Sequence, residues 1–287
     1  MQQWDPTQFF RSDGPPRTPF ALVILNQPIN ERAFAVVKKH ACVTVCADGG
    51  ANRFYQMMQA HGQESTELPS LIIGDLDSIH ADTRAHYERL GVSVIEDSDQ
   101  YSTDFTKCLN YIRRHAGSLS GPSPTAATTT TTAAPPRLDI LILGGLGGRV
   151  DQAFSQIHHL YLMAQQQQQQ QPADSTPGDL YLISEESITF ILKPGRNVIH
   201  TPRANRPGGP CADSEEYLLE ENVGIIPLAG PGCISTRGFQ WDVEEWPTAI
   251  GGQLSTSNHI RAEELEITTR GAILLTLELA RRFKRAR

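Results

Sequence analysis

The sequence is poor in several features, and each scarcity narrows its chemistry. Five cysteines (Cys42, Cys46, Cys108, Cys211, Cys233) form no CxxC pair. Cys42 and Cys46, on one predicted strand, would stand roughly 13 Å apart, beyond disulfide reach. Reduced thiols in the cytoplasm fit this usage. The nine histidines show no HExxH or similar ligand spacing, so zinc-hydrolase motifs do not match. No uninterrupted apolar segment approaches membrane-spanning length. Met1 to Pro19 is polar and proline-rich and lacks the apolar core of a signal peptide, so residues 1–17 read as a disordered N-terminus and no membrane partner is expected. Basic residues are outnumbered, 25 Lys and Arg against 32 Asp and Glu, for a net charge of −7. Without an interior basic stripe, nucleic acid is not expected as a partner. The one basic run, Arg281 to Arg287, reads as a solvated tail. No repeat is visible, and neither a P-loop nor G-x-G-x-x-G is complete.

What remains is a clear alternation. Apolar runs at Phe20–Leu25, Cys42–Ala47, Leu71–Ile73, Ser93–Ile95 and Leu138–Leu143 read as strands, and helix-compatible segments lie at Glu31–His40, Arg53–His61 and Ala81–Leu90. Strands alternating with helices predict a doubly wound, mostly parallel α/β sheet over residues 18–164. A Ser/Thr/Pro-rich segment at about 118–136 and the glutamine run in 165–178 lack the apolar surface to offset ordering entropy. They read as a disordered insert and a Gln-rich linker. From Asp179 on, short strands follow one another with almost no helix: a hairpin at Leu180–Leu192, then Asn197–His200, Val223–Leu228, Gly232–Thr236, Leu254–Ser257, Glu264–Thr269 and Ala272–Leu279. Residues 179–287 therefore read as an all-β, jelly-roll-like sandwich domain.

Chemistry collects where predicted strands end. Leu71-Ile72-Ile73 runs into Gly74-Asp75-Leu76-Asp77-Ser78. If the chain stays extended there, Asp75 and Asp77 face one spot beyond a strand's carboxyl end. Two carboxylates aimed at one point favour a hard cation such as Mg²⁺ between them. A solvated turn explains the same Gly and Asp residues. Asp48-Gly49-Gly50-Ala51-Asn52 and Gly144-Gly145-Leu146-Gly147-Gly148-Arg149 end two other strands. Glycine turns of this kind let the backbone approach phosphate, and Arg149 adds a fork-shaped donor. In Gln100 to Lys107, Ser102 or Thr103 caps a helix. Asp104 is then either a helix-dipole partner or a third metal carboxylate, and Lys107 a phosphate partner. Trp241, beside Gln240 in Gly238–Asp242, is either core or a surface for stacking on a flat ring.

These segments together resemble the thiamine pyrophosphokinase family: ADGGANR (Ala47–Arg53), IIGDLDSI (Ile72–Ile79), STDFTKCL (Ser102–Leu109), GGLGGRVDQ (Gly144–Gln152), and later GFQW and LSTSN. The inserts suit a fungal member. The resemblance implies an α/β catalytic domain followed by a thiamine-binding β-sandwich, in a homodimer with active sites between subunits. It implies Mg²⁺-dependent transfer of pyrophosphate from ATP to the hydroxyl of thiamine, giving thiamine diphosphate and AMP. Asp75, Asp77 and Asp104 would hold the metal, with Asp151 also catalytic. Asp48, Gly49, Gly50, Asn52, Arg53, Gln100, Thr103, Thr106, Lys107, Arg149 and Gln152 would surround ATP. Trp241, donated by the partner subunit, would contact thiamine with Gln240, Ser255, Thr256, Ser257 and Asn258. A Mg²⁺-dependent nucleotide or phosphoester hydrolase leaves Trp241 and the LSTSN segment unexplained, and a non-catalytic thiamine or nucleotide sensor would not need the carboxylates.

Overall fold

The computed structural model describes residues 1–119, 137–169, 178–210 and 216–285. In chain order the first half contains β1 (Gln2–Trp4), β2 (Phe20–Ile24), α1 (Glu31–Val37), β3 (Val43–Ala47), α2 (Gly50–Ala60), β4 (Leu71–Gly74), α3 (Ala81–Arg89), β5 (Ser93–Glu96), α4 (Asp104–Arg114), α5 (Ala116–Leu119), β6 (Asp139–Leu143) and α6 (Val150–Gln169). The second half is β7 (Leu180–Ile183), β8 (Ser187–Leu192), β9 (Gly195–His200), β10 (Leu219–Ile226), β11 (Gly232–Arg237), β12 (Trp246–Thr248), β13 (Ser255–His259), β14 (Glu264–Thr269) and β15 (Ile273–Leu279).

Every residue of β2, β3 and β6 is buried, as expected of strands covered on both faces by crossover helices. With β7, β4 and β5 they form a six-strand parallel array in the order β7-β6-β2-β3-β4-β5. One face packs against Phe34 of α1 and Phe54 and Met57 of α2. The other packs against Phe105, Cys108, Leu109 and Ile112 of α4 and Leu160 and Met163 of α6. In α4 these apolar residues recur at helical spacing, and the Thr103 hydroxyl caps the helix by accepting from Thr106 N–H at 3.2 Å.

The parallel array does not stop at the Gln-rich segment. β7 turns into β8, and the same sheet continues antiparallel through β8-β15-β10-β13 to a total of ten strands. A five-stranded sheet, β1-β9-β14-β11-β12, lies over that extension. Strand β14 alternates exposed or half-buried with buried residues, the pattern of a one-sided antiparallel strand. Its Leu265 and Ile267 join Ile199, Leu275 and Leu277 in the sandwich core, which is continuous with the core under α1 and α2. The doubly wound α/β fold followed by a β-sandwich is therefore present. The hairpin predicted at Leu180–Leu192 is there too, but its first strand belongs to the parallel array.

Three expectations about the edges of the chain are corrected. Residues 1–17 are ordered rather than disordered. β1 pairs parallel with β9, Trp4 Nε1 donates to Asn197 Oδ1 at 3.0 Å, and Phe9 packs between Phe20 and Tyr181 with ring centroids 5.2 and 5.0 Å apart. Trp4, Phe9 and Phe10, all buried, carry enough apolar area to anchor an otherwise polar segment. The glutamine run is not wholly a linker, because α6 continues to Gln169 and Gln167 Nε2 donates to Gly178 O at 2.8 Å. Glutamine is a good helix former and can extend a helix already nucleated. The basic tail is not simply solvated: Phe283 is buried, Lys284 pairs with Glu278 and Arg285 with Glu185. Most of the 118–136 insert lies outside the described residues.

Candidate active site

The glycine–aspartate loops after β3 and β4 meet because those strands are hydrogen-bonded neighbours. Contact between them is close enough to dictate glycine: a Cβ on Gly74 would lie 2.5 Å from Asp48 Cβ and 3.1 Å from Asp104 Oδ1. Asp48 itself adopts φ 40°, a left-handed backbone that aspartate tolerates better than most residues. Its carboxylate accepts from the N–H groups of Ser78 at 3.0 Å and Ile79 at 2.9 Å. Asp104, in the first turn of α4, accepts from Asp75 N–H at 3.3 Å.

One oxygen each from Asp48, Asp75 and Asp104 lies within 4.8 Å of the others. Lys107 closes the group from below, its side chain only 1% exposed, with Nζ 3.3 Å from Asp75 Oδ2 and 3.2 Å from Asp104 Oδ1. Burial alone would lower the Lys107 pKa, but hydrogen bonds and attraction from the two carboxylates more than offset it, and the net direction is up. Asp48 is pushed up to about 6, first by burial and then by repulsion from Asp104 and Asp77, against the two backbone donors. Asp75 moves down, since the Asp77 N–H and Lys107 outweigh its desolvation. Three carboxylates against one ammonium leave a net negative pocket of hard oxygen donors. Such a donor set fits Mg²⁺.

The triad differs from the expected Asp75, Asp77 and Asp104. Leu76 adopts φ 65°, so the chain turns where extension was assumed, and Asp77 accepts from Ser78 Oγ at 2.8 Å outside the triad. Asp48 takes the third place. The sequence signal was an Asp at a strand end before Gly-Gly, but its partnership with Asp75 depends on β3–β4 adjacency.

Other expected residues separate into two sets. Gln100 Nε2 lies 3.5 Å from Asp75 Oδ2, on the rim of the triad. Asn52 is engaged at both ends of its amide, donating to Ser78 O and accepting from His80 N–H, each at 2.9 Å, so it holds the loop. Gly49 packs against Asn26, and Gly50 lies where a Cβ would be 2.2 Å from Ile24 O. Arg53 donates to Asn26 at 3.2 Å. Arg149 and Asp151 pair with each other at 2.6 Å on the exposed start of α6, beside exposed Gln152. Thr103 and Thr106 bond mutually at 2.9 Å and face His159 of α6, whose Nε2 is 3.3 Å from Thr106 Oγ1. His159 was not anticipated, and nothing in its local sequence marks it.

In the sandwich half, Trp241, Ser255, Thr256, Ser257 and Asn258 line one cavity of about 440 Å³ with Ile234, Val243, Trp246 and Leu254. That volume and mixed lining suit a small organic ligand. Gln240 lies outside the lining, with Oε1 2.9 Å from His259 Nδ1. None of the carboxylate triad lines this cavity.

Comparison with known proteins matches both halves of the chain. Residues 34–171 match the thiamin pyrophosphokinase catalytic domain, and residues 197–274 the thiamin pyrophosphokinase vitamin B1 binding domain. A thiamine pyrophosphokinase of Saccharomyces cerevisiae is 31% identical, covering 90% of this chain and 85% of the relative. One from Arabidopsis thaliana is 30% identical over 91% and 87%. The crystal structure of yeast thiamin pyrophosphokinase superposes with a TM-score of 0.77 at 27% identity, covering 97% of this chain and 91% of that one. Thiamin pyrophosphokinase from Candida albicans superposes with a TM-score of 0.75 at 26% identity, over 97% and 92%. With catalytic and vitamin-binding regions matched in order, the chain belongs to the thiamine pyrophosphokinase family of enzymes.

Proposed function

We propose that the enzyme transfers the terminal diphosphate of ATP to the hydroxyethyl oxygen of thiamine with Mg²⁺ held by Asp48, Asp75 and Asp104. The observation that carries this reading is the convergence of those three carboxylates on one point beside buried Lys107. The thiamine hydroxyl oxygen attacks the β-phosphorus and releases its proton to solvent, the bond from that phosphorus to the α-bridging oxygen breaks, and AMP leaves with that bond's electron pair. Bound metal would supply charge neutralisation on the phosphoryl oxygens. Lys107 offers an ammonium between Asp75 and Asp104, directed at the same place. Arg149, exposed at the start of α6, offers a second cationic group for phosphate. Such transfers depend on positioning and electrostatics more than on covalent assistance.

Thiamine is assigned to the cavity beside Trp241, whose indole face attracts a cationic ring. Because that cavity and the carboxylate triad share no lining residue within one protomer, a homodimer that brings them together from two subunits is part of the reading. Exposed apolar side chains on both halves support it: Val150 and Phe154 at the start of α6, and Trp241, Ile250 and Leu254 in the sandwich. No helix among the described residues is long and apolar enough to cross a membrane. The described cysteines are unpaired, which favours a cytoplasmic location.

Product analysis tests the reaction. Purified protein with Mg²⁺, ATP and thiamine should yield AMP and thiamine diphosphate in equal amounts, and a chelator should stop it. ADP with thiamine monophosphate would place the attack on the γ-phosphorus and overturn the assignment.

A further inference from the structure

Trp241 is 54% exposed at the mouth of the sandwich cavity, yet its main chain is gripped from behind. Buried Asn258 accepts from Trp241 N–H through Oδ1 at 3.1 Å and donates through Nδ2 to Trp241 C=O at 2.9 Å. The same Oδ1 accepts from His259 N–H at 2.9 Å. Oδ1 is thereby filled by two backbone donors, and Nδ2 places one of its two N–H groups on backbone. We infer that Asn258 is a positioning residue, acting on the substrate through Trp241 rather than by reading thiamine itself. This inference rests on the assignment of the Trp241 cavity to thiamine.

The physical case is one of matched geometry. A carboxamide offers an acceptor and a donor side by side, and so pairs with the N–H and C=O of one residue as a neighbouring strand would. Trp241 needs such a substitute because it lies outside the strands. The ladder beside it consists of Gln240 N–H to His259 O at 2.9 Å and Arg261 N–H to Gly238 O at 2.8 Å. At the other end of the loop the Asp242 carboxylate accepts from Gly238 N–H and Phe239 N–H, each at 3.1 Å. His259 packs its ring against the indole with centroids 5.2 Å apart. A ring held this way is preorganised, and the cost of ordering it is met during folding rather than on binding.

A double-mutant cycle on the full-length enzyme tests the inference, with Asn258→Ala, Trp241→Ala and the double variant assayed for the KM of thiamine and of ATP. Trp241→Ala should raise the thiamine KM, and Asn258→Ala should raise it about tenfold with the ATP KM unchanged. In the Trp241→Ala background, Asn258→Ala should add less than about twofold, since residues acting through one contact are not additive. An undiminished effect of Asn258→Ala in that background would overturn the inference, as would no effect on thiamine KM in the parent. Asn258→Asp keeps the acceptor and the shape while losing the donor, and carries the same cycle if the alanine variant does not fold. Were Trp241→Ala itself without effect on thiamine KM, the cavity assignment would be the part that fails.

Discussion

Asp48 and Trp241 are both fixed by hydrogen bonds, but the support runs in opposite directions. At Asp48 the main chain holds the side chain: two N–H groups of the neighbouring loop point at the carboxylate, and Gly74 leaves room for it. At Trp241 side chains hold the main chain, with Asn258 and Asp242 supplying the partners and the indole left free. The difference follows from the sheets. Buried parallel strands end together, so their loops crowd and supply one another with donors. The sandwich strands β10, β11, β13 and β14 are half exposed, and the Trp241 loop lies outside any strand. In the α/β half the Asp48 carboxylate is thus aimed by main-chain donors, whereas in the sandwich half the Trp241 loop is held by side chains that can be altered one at a time.

The largest effect that would sharpen this contrast is at Asp75. Asp75→Asn keeps the shape but removes one of the two carboxylates paired with buried Lys107, so thermal stability should fall modestly. Turnover should fall on the order of 10³-fold, the scale of losing a charge-stabilising group at the reacting centre. Turnover within threefold of the parent would remove Asp75 from the catalytic assignment. Asp242→Ala tests the other half. It strips the acceptor from Gly238 N–H, Phe239 N–H and Thr236 Oγ1, and should cost about 1–2 kcal/mol of stability. The thiamine KM should rise several-fold while the ATP KM stays put. Equal rises in both constants would break the comparison, because support in the sandwich would then not be local to one ligand.

Legibility in the sequence followed the same division. Buried parallel strands announce themselves as unbroken apolar runs, and Phe20–Ile24, Val43–Ala47 and Asp139–Leu143 are found where those runs predict. Asp75 and Asp104 were legible because a strand end and a helix cap place them. Asp77 stands outside the cluster of three because the period of two holds only for extended chain, and Leu76 is left-handed. The part of Asp48 in the triad was hidden in strand adjacency. The N-terminal segment was misjudged on its average polarity, when Trp4, Phe9 and Phe10 supply its anchorage. Asn258 was legible as a site residue by resemblance, but its two bonds to Trp241 span seventeen positions and have no sequence signature.

The smallest expected effect concerns the seam between α4 and α6. His159 lies there with its ring edge-on to Phe105, centroids 4.9 Å apart, and Nε2 facing Thr106. Burial, then the neighbouring charges of His158 and Arg113, push its pKa down to about 4 from the usual 6.5. The folded protein therefore keeps His159 neutral while the unfolded chain protonates it. The associated stability is fully present above pH 6.5 and is lost as the pH falls toward 4, amounting to about 2 kcal/mol by pH 5. His159→Gln preserves a hydrogen-bonding group without the titration. Thermal melts from pH 7 to pH 5 should show the parent losing more stability than the variant, by a few degrees. Parallel curves would mean that His159 is protonated in the folded state, and that the seam behind Thr103 and Thr106 is looser than the rest of the α/β half.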